Sequence, residues 1–153
     1  MTDRLRIGCG CGFWGDSAAG PQQLVLRGDI DVLVLDYLSE ITLSILARAR
    51  RKRADLGYTT DFVTEVMRPL AGELARRRIK VVANAGGVNP RACRDALQAV
   101  LAEAGVPLTV AVVLGDDITA ELDDLRRSGV RDLDGAGALP AQVASANAYL
   151  GAW

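Results

Sequence analysis

The residues of this chain that could do chemistry are a few carboxylates and several short, polar, glycine-rich stretches. Asp36, Glu40, Asp116 and Asp117 all stand where a hydrophobic pattern breaks. Paired carboxylates serve as general acid and base when their surroundings separate their proton affinities. Asp36 is the sharpest of them, because it ends an apolar run and a charge at the end of a buried strand needs a partner. Asp116 and Asp117 read equally as caps for the helix that follows. The stretches Gly8 to Asp16 and Asn84 to Asn89 offer backbone N–H and side-chain amide donors, suited to an anionic or carbonyl oxygen. The chain contains no histidine. That removes the usual general base near neutral pH, the Ser-His-Asp and Cys-His constellations and most catalytic zinc sites. Proton chemistry is left to carboxylates, Cys, Tyr, Lys or a cofactor.

Cys9 and Cys11 are too close for a zinc knuckle, and no second pair exists. They read as small residues in a tight loop, with Cys11 as a low-pKa nucleophile the alternative. Cys93 falls in a helix and reads as packing. The basic run Arg48, Arg50, Arg51, Lys52 and Arg53 suits a helix C-terminus. It reads as a solvated face on the edge away from the polar loops, with phosphate binding as the alternative.

The elements that must position these residues follow from periodicity. Leu5 to Gly8 predicts a first strand, followed by a glycine-rich loop through Asp16. Ser17 to Gly28 predicts a helix capped by Asp16 or Ser17. Asp31 to Asp36 is a near-continuous apolar run, the mark of a strand buried on both faces of a parallel sheet. Ser39 caps the next helix, whose stripe of Leu38, Ile41, Ile45, Leu46 and Ala49 is expected to be buried. Thr60 starts a further helical pattern, with a kink or break near Arg68 imposed by Pro69. Ile79 to Ala83 is a third buried strand. Asn89-Pro90 starts a helix that stops at Gly105. Leu108 to Leu114 predicts a fourth strand and Glu121 to Ser128 a short polar helix; Ala144 to Leu150 fits either a strand or a helix start.

This alternation predicts an α/β domain with a mainly parallel sheet and flanking helices, Rossmann-like and doubly wound. Ligands of such sheets bind beyond the carboxyl ends of the strands. Cys9 to Asp16, Asp36 to Glu40, Asn84 to Asn89 and Gly115 to Asp117 are expected together at that edge.

A length of 153 residues suits a single domain, 1–153. A net charge of −1 argues against a nucleic-acid or membrane-surface partner. No apolar run approaches the ~20 residues of a membrane helix. Three cysteines suggest no disulfide framework, so a cytoplasmic location is expected.

Gly10-Cys11-Gly12-Phe13-Trp14-Gly15 also matches G-x-G-x-x-G, with Asp36 about 20 residues further on, as in a dinucleotide fingerprint. A wide glycine loop over some other anionic group explains the same residues equally well.

Four stretches together carry a family resemblance: Arg6-Ile7-Gly8-Cys9-Gly10-Cys11-Gly12-Phe13-Trp14-Gly15-Asp16; Asp31 through Glu40 with Thr42-Leu43; Lys80 through Pro90; and Ser145 through Ala152. In this order they resemble the acyclic terpene utilization (AtuA-type) family. The resemblance implies acyl-CoA or related carboxylic-acid metabolism, with a hydratase or lyase step. In the reading of these loops, Asp36 or Glu40 is the expected acid/base, with Asn84 beside them as a further expected catalytic residue. Gly10, Gly12, Phe13, Trp14, Asp16, Gly86, Gly87, Asn89 and Asn147 are expected to hold the substrate. No metal or nucleotide cofactor is implied. Members of that family are longer. A split protein completed by a second chain is therefore one expectation, and a reduced stand-alone form or a cut piece are others. The split form predicts a hetero-oligomer whose sheet exposes an edge and an apolar face until the partner covers them. Two rival functions remain open here: a non-catalytic subunit that completes a partner's fold, and an NAD(P)-dependent oxidoreductase.

Overall fold

The computed structural model describes residues 4–131, 133 and 137–149. Three parallel strands, β1 (Ile7–Cys11), β2 (Val32–Leu35) and β3 (Lys80–Ala83), form a sheet in the order β1-β2-β3. Helices α1 (Ala19–Arg27), α2 (Glu40–Lys52), α3 (Arg68–Arg77) and α4 (Pro90–Glu103) accompany them. The parallel α/β class is as expected. The chain divides into two compact units, Met1–Val112 and Val113–Trp153.

Cys9, Gly10 and Cys11, expected in a loop, belong to β1, which extends the strand predicted to end at Gly8. Glycine is tolerated in this strand because α1 lies directly on it. A side chain on Gly10 would meet Leu35 at 2.8 Å and Pro21 at 3.2 Å, and one on Gly20 of α1 would collide with the Gly10 carbonyl. Neither Asp16 nor Ser17 is the N-cap of α1: that position is Ala18, although Ser17 Oγ accepts from the Ala19 amide at 3.2 Å.

β2 is the central strand, with Leu33 and Leu35 almost fully buried. Helices α1, α3 and α4 pack side by side. Val25, Leu70, Leu74, Leu97 and Val100 from them meet Leu33, Leu35, Val81 and Ala83 of the sheet. The opposite sheet face is open at its outer strands, while Val32 and Val34 of the central strand are buried and half-buried on it. Register aligns Cys9, Val34 and Val82 across the three strands. Cys9 is exposed, Val82 is 59% exposed and Ile7 is 60% exposed. β3 was expected to be a buried strand, yet its residues alternate between exposed and half-buried.

The connection from β2 to β3 has two parts. Ser39 accepts from the Thr42 amide and caps α2 as expected. The buried side of α2 differs from the predicted stripe: it is Thr42, Leu46 and Ala47, while Ile41 is 74% and Ile45 48% exposed. Leu46 and Ala47 pack on Val88, with Trp14, Leu38 and Leu43 partly buried around them. Val88 follows the carboxyl end of β3, so α2 lies across that edge of the sheet instead of along its face. The return is made by a π-helical segment, Phe62–Met67, running directly into α3. The change in helix type at Arg68 fits the break expected near Pro69, which lacks an N–H and clashes with the preceding turn.

Val106 to Val112 alternates between half-buried and exposed, and Leu108 and Val110 pack on the core. This stretch nonetheless forms no ladder, so the fourth strand, expected over Leu108 to Leu114, is absent among the described residues. An alternating pattern specifies which side faces the core; a strand also needs a neighbouring backbone to bond.

In the second unit, a 3-10 turn (Thr119–Glu121) leads into α5 (Leu122–Arg127), within the predicted polar helix. Ala144 to Tyr149 is neither helix nor strand and makes one isolated bridge, Asp117 to Asn147, while Leu150 lies outside the described residues. No helix among the described residues is long and apolar enough to cross a membrane.

Candidate functional site

The carboxyl ends of the three strands are joined by side chains as well as backbone. The Asp36 amide donates to the Cys11 carbonyl at 3.3 Å, tying β2 to β1. Asn84, just beyond β3, donates from Nδ2 to Asp36 Oδ1 at 2.6 Å and accepts at Oδ1 from the Tyr37 amide at 2.7 Å. One amide side chain therefore holds the Asp36 carboxylate and the strand end behind it. Among the described residues Asp36 Oδ2 has no protein donor. Glu40 stands in the first turn of α2, directly after the Ser39 cap.

The loop after β1 is anchored at Trp14. Its backbone amide donates to the Tyr37 carbonyl at 3.1 Å, and its indole Nε1 donates to Asp61 Oδ2 at 3.1 Å. Phe13 beside it is exposed. Gly12 was expected to offer its amide to a ligand. That amide instead donates to Asp16 Oδ2 at 3.1 Å, while Asp16 Oδ1 accepts from Ser17 at 2.7 Å. The Asp16 carboxylate thus occupies its own loop. The amides of Phe13 and Gly15 have no protein acceptor among the described residues. Gly12 and Gly15 face open space, so the loop is accessible from outside. Gly10 contributes through its packing under α1.

The turn after β3 is divided in its roles. Asn84 faces the site. Asn89, expected to cap α4, makes no cap bond; it is buried and donates from Nδ2 to the carbonyls of Ala54 at 2.9 Å and Leu56 at 2.8 Å. A side chain on Gly86 would meet Pro90 at 2.8 Å, and one on Gly87 would meet Leu46 at 2.5 Å and the Gly57 carbonyl at 2.7 Å. Gly86 lets the turn close on the start of α4, and Gly87 lets it nest against α2 and the segment before the π-helix. Thr59 completes the brace, donating to the Ala85 carbonyl from both its amide and its hydroxyl.

Arg50 corrects the reading of the basic run as remote from the polar loops. Its guanidinium donates to the Val88 carbonyl, so the end of α2 lies beside the Asn84–Asn89 turn.

Tyr37 and Asp61 were not apparent from sequence. Tyr37 is buried and meets Phe62 edge-on, with ring centroids 5.9 Å apart. Burial pushes its hydroxyl above the ordinary tyrosine value, and the neighbouring Cys11 adds to the shift. The signal for Asp61 was the indole of Trp14, which needs an acceptor when half-buried. Burial also raises the Cys11 thiol, which overturns the low-pKa nucleophile reading. Burial alone pushes Cys93 up to about 12.

The dinucleotide reading loses its geometry. α1 begins at Ala19, beyond a loop that includes Gly15, and Gly20 makes the close helix–strand approach that the motif assigns to its last glycine. No group of three or more His, Cys, Asp or Glu among the described residues could hold a metal ion. In the second unit, Asn147 donates from Nδ2 to Asp116 Oδ2 at 2.9 Å, and Asp117 Oδ1 accepts from the Thr119 amide at 3.0 Å. The latter bond is not a helix cap: the 3-10 turn and α5 start from Ile118 and Glu121, neither with a side-chain cap, so the capping read for Asp117 does not hold.

The family model described as "Acyclic terpene utilisation family protein AtuA" matches residues 5–153. The chain belongs to the AtuA family. That family is linked to acyclic terpene utilisation. Three of the four stretches that resemble AtuA proteins contain the Gly12–Asp16 loop, Asp36 and Asn84, and the fourth contains Asn147. No curated protein and no solved structure matches the chain.

Proposed function

We propose that this chain catalyses acid/base chemistry on an acyl-CoA or small carboxylate within acyclic terpene utilisation, as a hydratase or lyase. The observation that carries the reading is the Asn84–Asp36 pair at the open carboxyl edge. An amide donor on Oδ1 orients the carboxylate and leaves Oδ2 for a proton. In hydration of an α,β-unsaturated acyl group, the water oxygen bonds to the β-carbon and its proton passes to Asp36. The α-carbon takes a proton from Glu40, so one water is added overall. The Phe13 and Gly15 amides hold the acyl oxygen as negative charge develops on it. The proposed setting of the reaction is the cytoplasm.

Turnover and calorimetric binding of acyl-CoAs test this reading with Asp36→Asn and Asn84→Ala. Asp36→Asn is expected to lower kcat by about a hundredfold or more with the fold intact. No affinity for any CoA ester or carboxylate, with unchanged turnover in both variants, would sink the reading.

The open sheet face favours a second reading, a subunit that completes a partner's fold. Parallel sheets are ordinarily covered on both faces. Ile7, Cys9 and Val82 are the exposed residues such a partner would bury. Light scattering of the chain alone and with a candidate partner separates the two readings, and an active monomer excludes the second.

A further inference from the structure

The exposed face of α2 combines cations with apolar side chains. Arg48, Arg51 and Lys52 make no ion pair among the described residues, as is also true of Arg27, Arg78, Lys80 and Arg91 elsewhere. The same face carries two isoleucines, 74% and 48% exposed, Ile41 and Ile45. At 3.6 residues per turn these five side chains fall within about 120° of arc. The face starts at Glu40, four residues from Asp36, and ends in cations. Arg50 and Arg53 are engaged elsewhere, with the Val88 carbonyl and Asp55, which leaves the other three for a ligand.

We infer that this face binds the phosphate-bearing end of a CoA thioester. The inference rests on the proposed acyl substrate class and selects the CoA ester over the free carboxylate. The length fits: from Glu40 to Lys52 the helix rises about 18 Å. The pantetheine arm between thioester sulfur and diphosphate has about 13 bonds and spans roughly 16 Å when extended. With the thioester near Asp36, the arm runs over Ile41 and Ile45, and the phosphates meet Arg48, Arg51 and Lys52. Phosphate is the chemistry that unpaired arginines recognise best.

The test is binding of octanoyl-CoA, free octanoate and phosphatidylglycerol vesicles to the full chain, wild type and the triple variant Arg48→Ala/Arg51→Ala/Lys52→Ala. Octanoyl-CoA is expected to bind, with affinity falling about tenfold or more in the triple variant and with rising salt. Octanoate binding is expected to stay unchanged, as is octanoyl-CoA binding to Arg27→Ala, a control on α1. Octanoyl-CoA binding that ignores the triple variant overturns the inference and leaves the catalytic reading standing. Binding of octanoate alone does the same. Binding of vesicles alone, lost in the triple variant, assigns the face to a lipid surface instead. No binding of either octanoyl-CoA or octanoate defeats both readings.

Discussion

Asn84 reaches from the end of β3 to the end of β2, giving one hydrogen bond to Asp36 Oδ1 and taking one from the Tyr37 amide. The first expected consequence concerns stability. Asn84→Asp removes the donor and sets a second negative charge against Asp36. It is expected to lower stability by roughly 1–2 kcal/mol at neutral pH, read from the urea midpoint. The loss should shrink as pH falls and the carboxylates protonate; a loss independent of pH would contradict this account.

Gly20 and Gly12 should respond in opposite ways to the same change. Alanine at position 20 would drive its methyl into the Gly10 carbonyl. The expected loss is about 2–4 kcal/mol despite alanine's better helix propensity. A methyl group on Gly12 would find nothing within 4 Å, so Gly12→Ala should leave thermal stability nearly unchanged. Gly72, exposed in α3 with nothing within 4 Å, should gain about 0.5–1 kcal/mol as alanine.

Asp31 is held by the Arg6 side chain and backbone amide, which lower its pKa from 3.8 to about 2. A lowered folded value stabilises the fold above the unfolded pKa. That contribution is therefore complete above about pH 4 and disappears as pH falls towards 2. Carboxyl NMR should show the low midpoint, and Arg6→Met should return it towards 3.8. The pair is solvent-exposed, so its effect on global stability should be small and weaker in salt.

The three cysteines should differ sharply in reactivity. Cys9 is exposed, while Cys11 and Cys93 are buried. Burial holds both inner thiols protonated, Cys93 up to about 12. Iodoacetamide at pH 8 should label Cys9 alone in the native chain, and all three after unfolding, as mass spectrometry would show. If a partner covers the open sheet face, Cys9 should become protected in the complex.

Much of the architecture was legible in local signals. The run Val32-Leu33-Val34-Leu35, the Ser39 cap, the stop at Gly105 and the disturbance before Pro69 are set by residues close in sequence, through burial, capping and ring sterics. The candidate site was legible in part, because carboxyl-end loops of a parallel sheet carry polar residues whatever their partners. Its bonds were not. That Asn84 grips Asp36 while Asn89 turns inward depends on which strand ends are neighbours, across separations of 48 and about 35 residues. The path of α2 escapes the sequence for the same reason. Ile41 and Ile45 form as good an apolar stripe as Leu46 and Ala47, and only the position of Val88 decides which one is buried. Composition and periodicity thus determined the elements and the edge where they present polar loops. The tertiary structure alone decided which polar groups meet, because hydrogen bonds and packing select among contacts that the local pattern leaves equivalent.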